Sequence, residues 1–140
     1  MAIQDAPFSI SLIGDETAER WVGDFRAKER LSHRDAVIKD QRRREILGGM
    51  GGVPDERALS IAVIVSELSV RLTKTPKWWE ESQNGLDLYD ENVLADVYQK
   101  ALKVQSEARK LREKKDDEDK KELQEEVKKL APAEPATLQP

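Results

Sequence analysis

Few residues in this chain are of a type that could do chemistry, and their spacing decides what each could do. There is one histidine, His33, and no cysteine. A histidine acts as a general base when a carboxylate orients it and a nucleophile lies within hydrogen-bond reach. Asp35 is the nearest carboxylate in sequence, but residues two apart on a helix do not face each other. His33 therefore reads as a solvated first-turn residue. Asp116-Asp117-Glu118-Asp119 offers carboxylates to a divalent cation. A calcium loop needs a glycine at its sharp turn and a later bidentate glutamate. Here no glycine intervenes and Lys114, Lys115, Lys120 and Lys121 flank the acids, the pattern of a solvated helix face. No catalytic residue, metal site or cofactor site is expected.

Two further clusters are suited to recognition. Arg42-Arg43-Arg44, with Arg34 and Lys39, could grip phosphate and bind nucleic acid. Consecutive residues on a helix step by about 100°, so the three arginines spread around the helix instead of forming one stripe. They also fall near a helix C-terminus, where the dipole favours cations. Trp78-Trp79 is the stronger signal. Adjacent rings on a helix diverge by about 100°, so one is expected to pack in the core and the other to stay partly exposed. Tryptophan is a preferred hot-spot residue at protein interfaces. The sequence leaves open which ring is buried.

The elements that would position these residues follow from periodicity. Phe8-Ser9-Ile10-Ser11-Leu12 alternates apolar and polar, and Gly14-Asp15 reads as a turn. Trp21, Gly23, Phe25 and Ala27 then share one strand face, with Arg20, Val22, Asp24 and Arg26 on the other. A hairpin is expected, and a lone hairpin needs something to lie on. Ser32 and Asp35 form a capping box ahead of a helix carrying Ala36, Val37, Ile38, Ile46 and Leu47. Gly48-Gly49-Met50-Gly51-Gly52 ends it and reads as a hinge or flexible loop.

Pro54-Asp55 opens the most apolar helix, over residues 56–73, whose apolar residues cover more than one stripe and place it centrally in the core. Arg57, Glu67 and Arg71 are expected to mark its wetter side. Thr75 is expected to cap a short helix with Pro76 in its first position, ended by Asn84-Gly85. Asp90 is expected to cap the last helix. Its apolar positions Val93, Leu94, Val97, Tyr98, Ala101, Leu102 and Val104 recur at three- and four-residue steps. Beyond Arg109 no large apolar residue falls between Leu111 and Leu123, so the helix can continue by propensity without packing. The tail carries Pro132, Pro135 and Pro140 and is expected to be disordered.

The fold expected is mainly α with a small N-terminal β-hairpin and about four helices, the last long and extended by a charged stretch. Its organisation is a small mixed domain over 1–108, a charged helical extension over 109–130 and a Pro-containing tail over 131–140. The 140 residues suit one domain of ordinary size. Charged residues make up 37% of the chain and hydrophobic ones 38%, which is lean for a core. A net charge of -4 does not attract nucleic acid to the chain as a whole. No apolar run reaches the roughly 18 residues of a membrane span, and no secretory signal opens the chain.

Several of these residues also fall in a familiar layout. A hairpin precedes a helix, and a small-residue loop leads to an apolar helix running from Ala62 through Glu67-Leu68 to Val70-Arg71. A Pro-x-Trp-Trp turn follows at Pro76 to Trp79, then Gly85-Leu86-Asp87-Leu88 with Asp90 and Asn92, a further helix and a charged tail. Over roughly residues 8–108 this resembles small bacteriophage morphogenesis proteins, above all the tail assembly chaperones of long-tailed phages. The resemblance implies a small, mainly helical, non-enzymatic helper. It would bind the tape-measure protein, a long helical rod with apolar stripes, help recruit tail-tube subunits, and be left out of the finished particle. It carries no catalytic residues over.

The function expected is thus protein binding during virus assembly in the host cytoplasm, without catalysis. Trp78, Trp79, Val93, Val97, Tyr98, Ala101 and Val104 are the candidate contact residues. One alternative is a minor structural protein of the capsid or head–tail connector, retained in the virion. Another is a small nucleic-acid-binding regulator using Arg34, Arg42, Arg43 and Arg44. No membrane partner is expected, and self-association is left open.

Overall fold

The computed structural model describes residues 3–48 and 54–130. The chain is mainly helical and begins with the expected hairpin, β1 (Asp5–Ile13) and β2 (Arg20–Lys28). The strands are antiparallel, with Phe8 opposite Phe25 and Ile10 opposite Gly23. Ile10, Phe25 and Ala27 are buried while Ser9, Ser11 and Asp24 are exposed, so the alternation in sequence becomes an inner and an outer face. Phe8 stacks on Phe25 at 5.0 Å. The turn is closed by the Gly14 N–H donating to the Glu19 carbonyl at 2.8 Å.

Helix α1 (His33–Leu47) starts at a complete capping box. The Asp35 N–H donates to Ser32 Oγ at 3.1 Å, and the Ser32 N–H donates to Asp35 Oδ2 at 2.9 Å. None of its residues is buried. Helix α2 (Glu56–Arg71) is capped by Asp55, which accepts from the Ala58 N–H at 2.7 Å. It ends two residues before the boundary expected from periodicity. Residues 72–74 instead form β3 (Leu72–Lys74), which pairs antiparallel with β2, Leu72 opposite Ala27 and Lys74 opposite Arg26. Three residues carry too short a pattern to read as a strand in sequence, and only the waiting edge of β2 makes them one. The sheet order is β1-β2-β3.

The wetter side assigned to α2 also needs correction. Arg57 is exposed, but Glu67 and Arg71 are buried with Ala62, Val65, Ser66, Leu68 and Val70. Helix α3 (Lys77–Glu81) has Pro76 at its N-cap with no side-chain cap. Thr75 lies one residue too far out to cap it, and its hydroxyl meets Glu80 Oε1 at 3.4 Å instead. The Pro76 carbonyl accepts from the Trp79 N–H at 3.1 Å, so the proline starts the turn through its fixed φ. Gln83, Asn84 and Gly85 then all take positive φ and end the element.

Helix α4 spans Glu91–Leu130. Val93, Val97, Ala101 and Val104 form its buried face and join Ile10, Phe25, Ala27, Leu68 and Trp79 in one core cluster. Each large apolar side chain buried there contributes on the order of 1.5–3 kcal/mol. The chain divides into two compact units, Met1–Ser106 and Glu107–Pro140. In the second, residues 109–130 are helical and every one is exposed. Gly49 to Gly52 of the expected hinge, and the 131–140 tail, lie outside the described residues. Among the described residues no helix is long and apolar enough to cross a membrane.

Candidate protein-binding surface

The two adjacent tryptophans are unequal. Trp79 is 1% exposed and meets Phe25 edge-on at 5.6 Å. Gly85 closes over its ring at φ +91, and a Cβ there would lie 2.6 Å from Trp79 Cη2, so a side chain is barred on both counts. Trp78 is half-buried, with its ring 4.8 Å from Trp21 and 5.9 Å from Phe25. Its indole N–H donates to the Val22 carbonyl at 2.9 Å. One face of Trp78 thus rests on the sheet and its polar atom is satisfied, which leaves a fixed, partly open aromatic plate. A plate of this kind loses little side-chain entropy on contact.

The α4 candidates divide differently from the expectation. Val93, Val97 and Ala101 have no exposed surface and Val104 has 7%. Their stripe is occupied by the domain's own sheet and α2, so it cannot also face a partner; a stripe in sequence does not reveal what fills it. Tyr98 is half-buried beside Glu67, and burial first, then that carboxylate, pushes its phenol pKa up.

A partly open apolar surface lies to one side of that stripe. A groove of about 470 Å³ runs between the N-terminal half of α2 and the start of α4. Ile61, Ile64, Leu94 and Ala95 line it, and the Arg57–Glu91 ion pair rims it. Leu94 is one of the apolar α4 positions visible in sequence. Ile61 and Ile64 are legible as apolar but not as groove-lining, because the second wall comes from another helix.

The arginine cluster is engaged within the fold. Arg43 and Arg44 share Asp40, at 2.7 and 2.8 Å, and Arg42 Nη1 donates to the Ser69 carbonyl at 3.0 Å. Arg34 stands exposed one turn or more away on the same helix. His33 is exposed in the first turn of α1. Among the described residues no group of three His, Cys, Asp or Glu side chains is placed to hold a metal ion.

Asp90 is the polar centre that sequence reading missed. It does precede α4, but its carboxylate turns away from the helix toward the β1–β2 turn. Oδ1 accepts from the Glu16 and Thr17 N–H groups at 2.7 and 2.8 Å. Oδ2 accepts from the Thr17 hydroxyl at 2.6 Å and the Trp21 indole at 2.8 Å. Asn92 completes the clasp, donating to the Ile13 carbonyl at 2.8 Å and accepting from the Asp15 N–H at 3.0 Å. Gly14 is required here, since a Cβ on it would lie 2.2 Å from the Asp90 carboxylate. Burial raises the Asp90 pKa, but the hydrogen bonds from Thr17, Glu16 and Trp21 outweigh it and hold the carboxyl at about 2. These partners lie up to 74 residues away in the chain, beyond any local signal.

No family model matches this chain, and no curated protein or solved structure matches it.

Proposed function

We propose that this chain is a non-enzymatic protein-binding factor of virus assembly, of the tail-assembly-chaperone kind, whose client is a helical phage structural protein. The observation that carries the reading is the apolar groove between α2 and α4, lined by Ile61, Ile64, Leu94 and Ala95. An amphipathic helix binds such a groove by laying apolar residues at i, i+3, i+4 and i+7 into it. A tape-measure rod offers such stripes along its length. The half-open Trp78 plate supports the same class of function, because rigid aromatic anchors dominate interface energetics. A nucleic-acid regulator is less favoured, since Arg42, Arg43 and Arg44 already have acceptors within the fold.

The test is co-expression with the tape-measure and tail-tube proteins of the same phage, followed by co-purification. Retention of the tape-measure protein by the parent chain, lost on Ile61→Lys, supports the reading. No retention of either protein sinks it. Mass spectrometry of purified particles separates a chaperone, which is absent from them, from a retained structural component.

A further inference from the structure

A second surface lies on α2 beneath α1, with Glu67 and Arg71 continuing the Ser60–Ile64 stripe toward the helix C-terminus. α1 packs along α2 yet buries none of its own residues. Its half-buried residues include the apolar Ile38, Ile46 and Leu47, and polar ties join it to the body as well. Lys39 Nζ meets Glu67 Oε1 at 3.3 Å, Arg42 Nη1 donates to the Ser69 carbonyl at 3.0 Å, and Lys28 Nζ meets Asp35 Oδ1 at 2.9 Å. Asp35, Lys39 and Arg42 follow at i, i+4 and i+7, so one face of α1 makes all three.

Helix α2 is buried over much of its C-terminal half. Ala62, Val65 and Val70 are buried but stand outside the core cluster around Phe25 and Trp79. Glu67 and Arg71 are buried with them, Arg71 only 3% exposed. The seat is incompletely satisfied. Arg71 Nε lies 3.8 Å from Glu67 Oε2, too far for a hydrogen bond. Arg71 Nε and Nη1 and Glu67 Oε2 have no hydrogen-bond partner. A buried guanidinium left this way is costly, and an added carboxylate would relieve it. Asp35, on α1, acts on Arg71 only through its field.

We infer that α1 is a displaceable cover, occupying in cis a seat on α2 that a partner helix takes in trans. The partner it fits is a helix carrying two cations at i and i+3, as Lys39 and Arg42 do, with a carboxylate placed to pair with Arg71. That carboxylate is what α1 lacks, and it gives the incoming helix its advantage. α1 itself is short for a helix to persist alone in water, so release costs it order as well as contacts. The inference rests on the protein-binding reading only for who the partner is; the opening of α1 belongs to the chain alone.

Two measurements test it on the full chain. The first is amide exchange of the parent as salt is raised from about 0.05 to about 0.5 M, which screens partly exposed ion pairs. The α1 amides should exchange faster than those of α2 and α4 and accelerate with salt. Exchange of α1 together with α2 and α4 as one unit overturns the inference. The second uses a fluorescent peptide of residues 31–48 as the trans helix. It should bind the Lys39→Ala/Arg42→Ala chain about tenfold more tightly than the parent, because weakening the cis cover raises the competent fraction. Adding Glu67→Gln to that chain should remove the gain. Equal binding to parent and double variant overturns the inference. If the double variant fails to fold, the exchange experiment on the parent decides alone. Failure to capture a tail protein would bear on the partner's identity and leave both results standing.

Discussion

Four hydrogen bonds converge on the carboxylate of Asp90, and they tie the start of α4 to the β1–β2 turn. Its carboxyl is held at about 2, below the ordinary value of 3.8. A group depressed on folding stabilises the fold above its unfolded pKa and loses that contribution as pH falls through the folded one. Stability of the parent should therefore decline between about pH 4 and pH 2, and Asp90→Asn should flatten that part of the profile. Urea midpoints across the range will read it. At the tryptophans, Trp79→Ala should cost about 3–5 kcal/mol, as removal of a buried large ring does. Trp78→Ala should cost clearly less, since that ring is half-buried. Equal losses in denaturant melts would mean that the open face of Trp78 is as structural as its packed one. Gly85→Ala should cost on the order of 1–2 kcal/mol from the left-handed backbone alone, with the clash against Trp79 added.

Among the elements, α1 and the far part of α4 hold their shape by local means. The Ser32 capping box satisfies donors at the α1 start, and Ser32→Ala should cost about 1 kcal/mol by chemical denaturation. Residues 109–130 of α4 bury nothing among the described residues. Deletion of 112–140 should leave the melting temperature within a few degrees. A large drop would place part of that segment in the folding unit. By contrast, β3 exists only because β2 offers an edge, and α2, rich in β-branched residues and serine, owes its helix to the Asp55 cap and to packing more than to propensity.

For the molecule as a whole, the open surface is what bears on function. Ile61→Lys should lower the melt less than loss of a fully buried residue would, because Ile61 is only half-buried. It should weaken client binding by about 2 kcal/mol or more if the groove is a hot spot. The affinity would be read by titration against the purified tape-measure fragment. A variant that binds like the parent would move the docking site off the groove. With a net charge of -4, parent binding should also change little when DNA is added as competitor.

Much of this architecture was legible from residue order alone. Alternation at Phe8 to Leu12 and Trp21 to Ala27 set the hairpin and its inner face. The capping box at Ser32, the apolar density of 56–73 and the three- and four-step repeat from Val93 set the helices, with only the end of the second misplaced by two residues. These are local rules, in which side-chain direction follows from backbone period. What a face packs against is not local. The Val93, Val97 and Ala101 stripe went to the core, Glu67 and Arg71 went inside, and the Asp90 carboxylate went to a distant turn. The open groove fell between Ile61 and Leu94, on separate helices. Each outcome depends on which surfaces meet when the chain closes, and burial and charge pairing there outweigh the preferences of any single segment.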